Sequence, residues 1–156
     1  MKQIITFSAK FGGELVLNTE FIAEKNGRYF FLSKTLRRFV QEDFYYAGTY
    51  LGKAKNGKFF PSFHLLSLIA KSRANKVVID RKASWLFICG RDIFRKGIVA
   101  VQGLRSKNDF TLVMNEHGEC LGFGKIVCSL DSAGKDTDIA VRNISDIGDF
   151  LRRESW

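Results

Sequence analysis

The groups from which this sequence could build a reactive centre are few: two histidines, His64 and His117, three cysteines, Cys89, Cys120 and Cys128, and scattered carboxylates. A nucleophile needs a base within reach and an acid to orient that base, and no such trio stands at a recognisable spacing. His64, in "FHLLSLIAK", has no second histidine or carboxylate four residues on, so no helical metal pair forms; a core or boundary position is its simplest place. The cysteines follow neither zinc nor dithiol spacing, and their odd number points to reduced, mostly buried thiols rather than a disulfide framework. Asp131, Asp136 and Asp138, around "SAGK", could offer oxygens to magnesium. They lack the Asp-x-Asp-x-Asp-Gly order with its closing Glu, and read as a solvated loop. No catalytic residue, metal site or cofactor is assigned, and the chain reads as a protein that is not an enzyme.

Gly122-Phe123-Gly124-Lys125 invites a different chemistry, the cradling of a nucleotide phosphate. A phosphate loop needs glycine, four residues, then Gly-Lys-Ser/Thr. Here Glu119 stands where the first glycine belongs, and Ile126 follows the lysine. The dinucleotide pattern fails at Val127. An apolar, β-prone run follows instead of a helix, so the glycines belong to a strand.

What remains is charge. The chain carries a net charge of +9 with a pI of about 9.6, which attracts polyanions. The first 73 residues hold 12 Lys and Arg against 5 Asp and Glu, the rest 13 against 11. Because these bases are interleaved with Phe, Leu and Ile, they suggest one face of a folded domain rather than a disordered tail. With 46% hydrophobic residues the 156-residue chain can bury a core. It has no 18-residue apolar run, and "MKQIITFSAKFGG" has no cleavage-site pattern, so a soluble, intracellular protein without a membrane partner is expected.

The elements that must position these charges are legible in outline. "KNGRYFFLS" and "KNGKFFPS", thirty residues apart, each read as an Asn-Gly hairpin turn, a strand, and a serine, Ser33 or Ser62, placed to cap a helix. Turn chemistry alone makes such pairs recur, so two ordinary hairpins are favoured over a duplication. In "KTLRRFVQ", Leu36, Phe39 and Val40 share one helical face, with Lys34, Arg37, Arg38 and Gln41 around the other. "FHLLSLIAK" is apolar nearly all round, as a helix wedged between layers would be. A pattern change at "KSRANK" sets a boundary between domains 1–74 and 75–156. Beyond it, Ala83 to Cys89 reads as a helix stopped by Gly90. "IVAVQGL", "FTLVMN" and "CLGFGKIVCSL" read as strands, with "NEHGE" turning between the last two. The tail gives a strand and a final helix, capped by Ser145, with Ile147 and Leu151 facing in.

The run "KASWLFICGRDIFRKGI", strands, "ECLGFGKI", strand, "ISDIGDFLRRE" resembles the PUA domain, an RNA-binding pseudobarrel. More widely, "RYFFLSKTLRRFV", "GTYLGKAKNGKFF", "FHLLSLIA", "ECLGFGKIV" and "SDIGDFLRRE" resemble the Nip-seven family of ribosome-biogenesis factors, in its archaeal form, across nearly the full length. The front departs from that family by lacking the longer acidic leading segment expected there. The resemblance implies an α+β protein: a small N-terminal α/β domain packed on a C-terminal PUA-type β pseudobarrel. It also implies a binding role on pre-rRNA during large-subunit assembly.

RNA binding asks for cations toward phosphates and for exposed planes on which bases stack. The candidates in the PUA half are Arg81 and Lys82, then Arg91, Arg95 and Lys96, then Lys125, Lys135 and Arg142, and finally Arg152 and Arg153. The last two also complement a helix dipole without any ligand. The implied ligand is single-stranded U- or AU-rich RNA, bound by a monomer working with protein partners of ribosome assembly or the exosome. Two alternatives stay open: a protein-interaction adaptor on an exosome or pre-ribosome, and an accessory protein in tRNA modification. The compartment expected is the cytoplasm for an archaeal host and the nucleolus for a eukaryotic one.

Overall fold

The computed structural model describes residues 1–13, 15, 17–40 and 43–153. Ile4, Phe7 and Phe11 are buried on one side of the first segment, at the spacing of a helix. They dock α1 (Lys2–Ala9), an element the sequence reading did not assign. Asn26 and Asn56 each take φ 51°, followed by Gly27 and Gly57 at 73° and 71°. These pairs close the turns between β1 (Ile22–Lys25) and β2 (Arg28–Phe31), and between β3 (Thr49–Lys55) and β4 (Lys58–Pro61). The four strands form an antiparallel meander in the order β1-β2-β3-β4.

Ser33 accepts a hydrogen bond from the Leu36 N–H and Ser62 one from the Leu65 N–H, opening α2 (Lys34–Phe39) and α3 (Phe63–Ala70) as expected. Two details differ. Phe39 does not face in: it is 76% exposed. The helix is only six residues long and Val40 leaves it in an extended conformation, so of the three expected residues Leu36 and Val40 reach the small core around Phe30 and Leu32. His64 is exposed on α3, whose inner face is Leu65, Leu66, Ile69 and Ala70. Gln41 lies outside the described residues.

A second, curled sheet of six strands follows. Its members are β5 (Lys76–Ile79), β6 (Ile93–Phe94), β7 (Ile98–Gln102), β8 (Phe110–Asn115), β9 (Cys120–Ile126) and β10 (Ile139–Asp146), in the order β6-β10-β9-β8-β5-β7. Among the described residues only β5 and β8 pair in parallel. Between β5 and β6 runs α4 (Arg81–Ile88). It starts two residues before the expected position, because Asp80 caps it through a 2.7 Å hydrogen bond from the Ala83 N–H. Gly90 ends it with φ 87°. At the other end α5 (Ile147–Arg153) is capped not by Ser145 but by Asp146, which accepts from the Asp149 N–H at 2.8 Å. Ile147 is 44% exposed rather than buried, and the expectation for Leu151 lies outside the described side chains.

The glycines of the would-be phosphate loop sit inside β9, as the strand reading required. Gly122 has φ 150°, and a Cβ there would run into the Ser145 carbonyl oxygen. The ladder slips on both sides of it, between Val113 and Met114 and between Asn143 and Ser145. Glycine therefore lets a bent strand pass close to its neighbour.

The architecture is α+β, with layers that share apolar faces. Alternate residues of β5 and β8 point to opposite cores. Val77, Ile79 and Val113 join Phe87, Ile93, Ile126, Ala140 and Val141 inside the curled sheet. Leu112 and Met114 face outward and meet Phe7, Phe11, Leu51, Leu66 and Ile69 of the first layer, together with Phe123. A strand covered on both faces reads as a continuous apolar run, which is why "FTLVMN" shows no alternation. At the seam, buried Asn75 donates to the Phe110 carbonyl at 3.3 Å and accepts from the Leu104 N–H at 3.0 Å. Among the described residues no helix is long and apolar enough to cross a membrane.

Candidate nucleic-acid interface

Ten basic residues are candidates on sequence grounds, and the fold gives them unlike surroundings. Lys125 on β9 stands directly across from Arg142 on β10 on one side, and from Phe110 on β8 on the other. Directly opposed residues of an antiparallel pair project to the same face. Arg142, Lys125 and Phe110 therefore form a row across three strands, with Arg142 exposed and Lys125 half-buried. The Lys125 ammonium lies 5.6 Å from the centre of the Phe110 ring, and Lys10, just past α1, brings a second ammonium to 5.2 Å of it. Both distances are within cation–π range. Lys10 and Phe110 were not among the sequence candidates, since their contact joins positions a hundred residues apart.

Arg95 has another occupation. Its guanidinium donates to the Ser129 carbonyl at 2.8 Å and to the Ser132 carbonyl at 3.0 Å, and it also reaches the Cys128 sulfur and the Ser132 hydroxyl, each at 3.3 Å. The backbone N–H groups of Arg95 and Lys96 donate to Asp138 and Asp136 carbonyls. Together these bonds pin the loop between β9 and β10. Asp131 is held by Arg105 at 3.2 Å, and Asp138 accepts from the Lys135 N–H. Among the described residues no cluster of His, Cys, Asp or Glu is placed to hold a metal ion.

Arg152 also has partners within the fold. It donates to the Ile88 carbonyl at 2.7 Å and to both oxygens of Asp146, at 3.1 and 3.0 Å. Asp146 is 2% exposed. Asn143 completes the network by donating to Asp146 and to the Phe87 carbonyl, tying α4, β10 and α5 together. The side chain of Arg153 lies outside the described residues. Arg81 and Lys82 are exposed on the first turn of α4, Arg91 and Lys96 on the segment after it, and Lys135 on the loop before β10. Only Lys125 and Arg142 of the ten are cross-strand partners.

The thiols are not all alike. Cys89 is exposed, against expectation, while Cys120 and Cys128 are half-buried. Burial pushes the Cys120 thiol up to about 11 from its ordinary 9.0.

Residues 75–155 match the family described as the UPF0113 PUA domain. The chain belongs to this family. A UPF0113 protein of Archaeoglobus fulgidus is 30% identical over 112 residues, which is 70% of this chain and 63% of that protein. The chain thus matches less than two thirds of that relative's length. A conserved PUA domain protein from Thermoplasma acidophilum superposes with a TM-score of 0.62 at 21% identity, covering 97% of this chain and 91% of the other. A hypothetical protein from Pyrococcus horikoshii gives 0.60 at 20% identity, over 99% and 93%. At such identities the likeness is one of fold. The row Phe110-Lys125-Arg142 belongs to the PUA domain, and Lys10 reaches it from the segment in front.

Proposed function

We propose that this PUA-domain protein is a non-enzymatic, monomeric RNA-binding factor of large-subunit ribosome assembly, which holds single-stranded U- or AU-rich pre-rRNA during its processing. The observation that carries the reading is the row of Arg142, Lys125 and Phe110 with Lys10 over the ring. Cations at strand spacing beside an aromatic plane suit a phosphate backbone with unstacked bases, and the PUA class is an RNA-binding one. Assembly and pre-rRNA as the setting rest on the resemblance to the Nip-seven family. So does the compartment, cytoplasmic in an archaeal host and nucleolar in a eukaryotic one.

Titration with labelled U-rich RNA at several salt concentrations tests this. Neutralising about four phosphates gives a slope of log K against log salt near −3, and absence of binding even at low salt overturns the reading. A second reading, a protein-docking adaptor of a pre-ribosome or exosome, is favoured by Phe39, Tyr45 and Tyr46, which stand 76%, 82% and 60% exposed on the first layer. Aromatic anchors of this kind are enriched at protein interfaces. Replacing Lys125 and Arg142 by Ala separates the two: the first reading loses RNA, the second keeps its protein partner.

A further inference from the structure

Between α1, the β3–β4 hairpin and the outer face of the curled sheet lies a cleft of about 660 Å³, within the size range of small-molecule sites. Phe110 forms part of its wall, so the cleft continues directly from the basic row. Phe60 and Ile144 line it while remaining 39% and 45% exposed, which leaves apolar surface open to water. Lys2, Lys10 and Lys58 line it, as do Asp146 and Asp149, of which the Asp146 carboxylate is already held by Arg152 and Asn143. Gln3 also lines it, and its Oε1 is buried yet accepts no hydrogen bond among the described residues. A buried acceptor without a donor is costly unless a bound partner supplies one.

An aromatic wall, an unmet acceptor and a cationic rim match one kind of ligand part: a flat, N–H-bearing ring attached to a phosphate. We propose that the cleft receives one unstacked base of the bound RNA strand, against Phe60, with an N–H of its Watson–Crick edge donating to Gln3 Oε1 and its phosphate beside Lys10 or Lys58. This rests on the RNA-binding reading and adds a base-specific component to a backbone-directed one. Every RNA base carries an N–H on that edge, so Gln3 senses the presence of a base more than its identity.

The test is a cycle between protein and RNA. Phe60→Ala is compared with wild type on a short U-rich oligonucleotide and on an abasic phosphoribose oligomer of equal length. Stacking on one aromatic ring predicts about tenfold weaker binding of the base-bearing strand by Phe60→Ala, unchanged binding of the abasic one, and restoration by Phe60→Trp. Equal affinity of wild type and Phe60→Ala for the U-rich strand, or equal loss on both strands, overturns the proposal. In the wild-type protein, the Gln3 side-chain amide resonances should shift when RNA is added. Shifts confined to Lys125 and Arg142, or Gln3 shifts with an acidic peptide but none with RNA, overturn the cleft and leave the RNA-binding row standing. No binding of either strand at low salt overturns both.

Discussion

Arg95 and Arg142 both lie in the PUA domain, yet they occupy opposite kinds of surroundings. Arg95 is enclosed by the carbonyl oxygens of Ser129 and Ser132, which accept from both terminal nitrogens of its guanidinium, while its buried Nε–H meets no acceptor among the described residues. Arg142 lies exposed directly across from Lys125, whose ammonium in turn sits near the Phe110 ring. The first arrangement holds a cation with fixed dipoles, whereas the second leaves like charges side by side. Neighbouring cations repel, and the Phe110 ring offsets that repulsion at Lys125, while Arg142 has no cation–π contact among the described residues. The difference teaches where to look for a ligand: at the cations the protein has not already answered.

Removing each kind should have opposite consequences. Arg95→Ala takes away the donors that hold the loop after β9 and should cost about 2–4 kcal/mol in urea unfolding, given charge-assisted bonds of about 1.5–3 kcal/mol each. Arg95→Lys should recover little, because a single ammonium lacks the planar fork that spans both carbonyls. Folded Arg95→Ala protein should keep the RNA salt slope of wild type; a lowered slope would move Arg95 into the row. Arg152→Ala should cost less, about 1–2 kcal/mol, since its side chain is 45% exposed and the Asp146 carboxylate, with its side chain 3% exposed, keeps the donors of Asn143 and the Asp149 N–H. Lys125→Ala with Arg142→Ala should leave stability within about 0.5 kcal/mol while flattening the salt slope by roughly 1.4, two phosphates' worth. Destabilisation as large as that of Arg95→Ala would erase the distinction.

The contrast also marks what the sequence could reveal. Asn26-Gly27, Asn56-Gly57, Ser33, Ser62 and Gly90 act on residues within four positions of themselves, and each was legible because turn and cap chemistry is local. Gly122 was legible as a strand bend, although the oxygen it accommodates, on Ser145, lies on another strand. The Ile4, Phe7, Phe11 spacing of α1 is present in the sequence, but a helix of 8 residues has too few turns for its periodicity to stand out. Ser145 and Asp146 both suit an N-cap, and one position separates them, a difference that composition does not resolve. The site was less legible than the fold. The partners of Arg95 lie 33 to 37 residues away, and Lys10 and Phe110 meet only after α1 has docked on the curled sheet. A list of basic residues holds both clamps and contacts, and only tertiary structure sorts them.

The smallest effect expected is chemical and leaves the fold in place, and it again sets a closed region against an open one. Cys120 sits among apolar neighbours and has its thiol pushed up to about 11, whereas Cys89 follows α4 on the exposed surface. At pH 8 roughly 0.1% of Cys120 is thiolate, the species that reacts. Alkylation followed by peptide mass mapping should therefore modify Cys89 first and leave Cys120 unmodified until the protein unfolds. The same shift has a sign for stability. The folded state holds the neutral thiol, so this contribution is complete below the ordinary value near 9.0 and is lost as pH rises toward 11. Cys128 touches the Arg95 guanidinium, so its labelling should quicken in Arg95→Ala and stay at the wild-type rate in the Lys125 and Arg142 variants. Equal rates in both would mean that the loop is held by the backbone bonds of Arg95 and Lys96 alone.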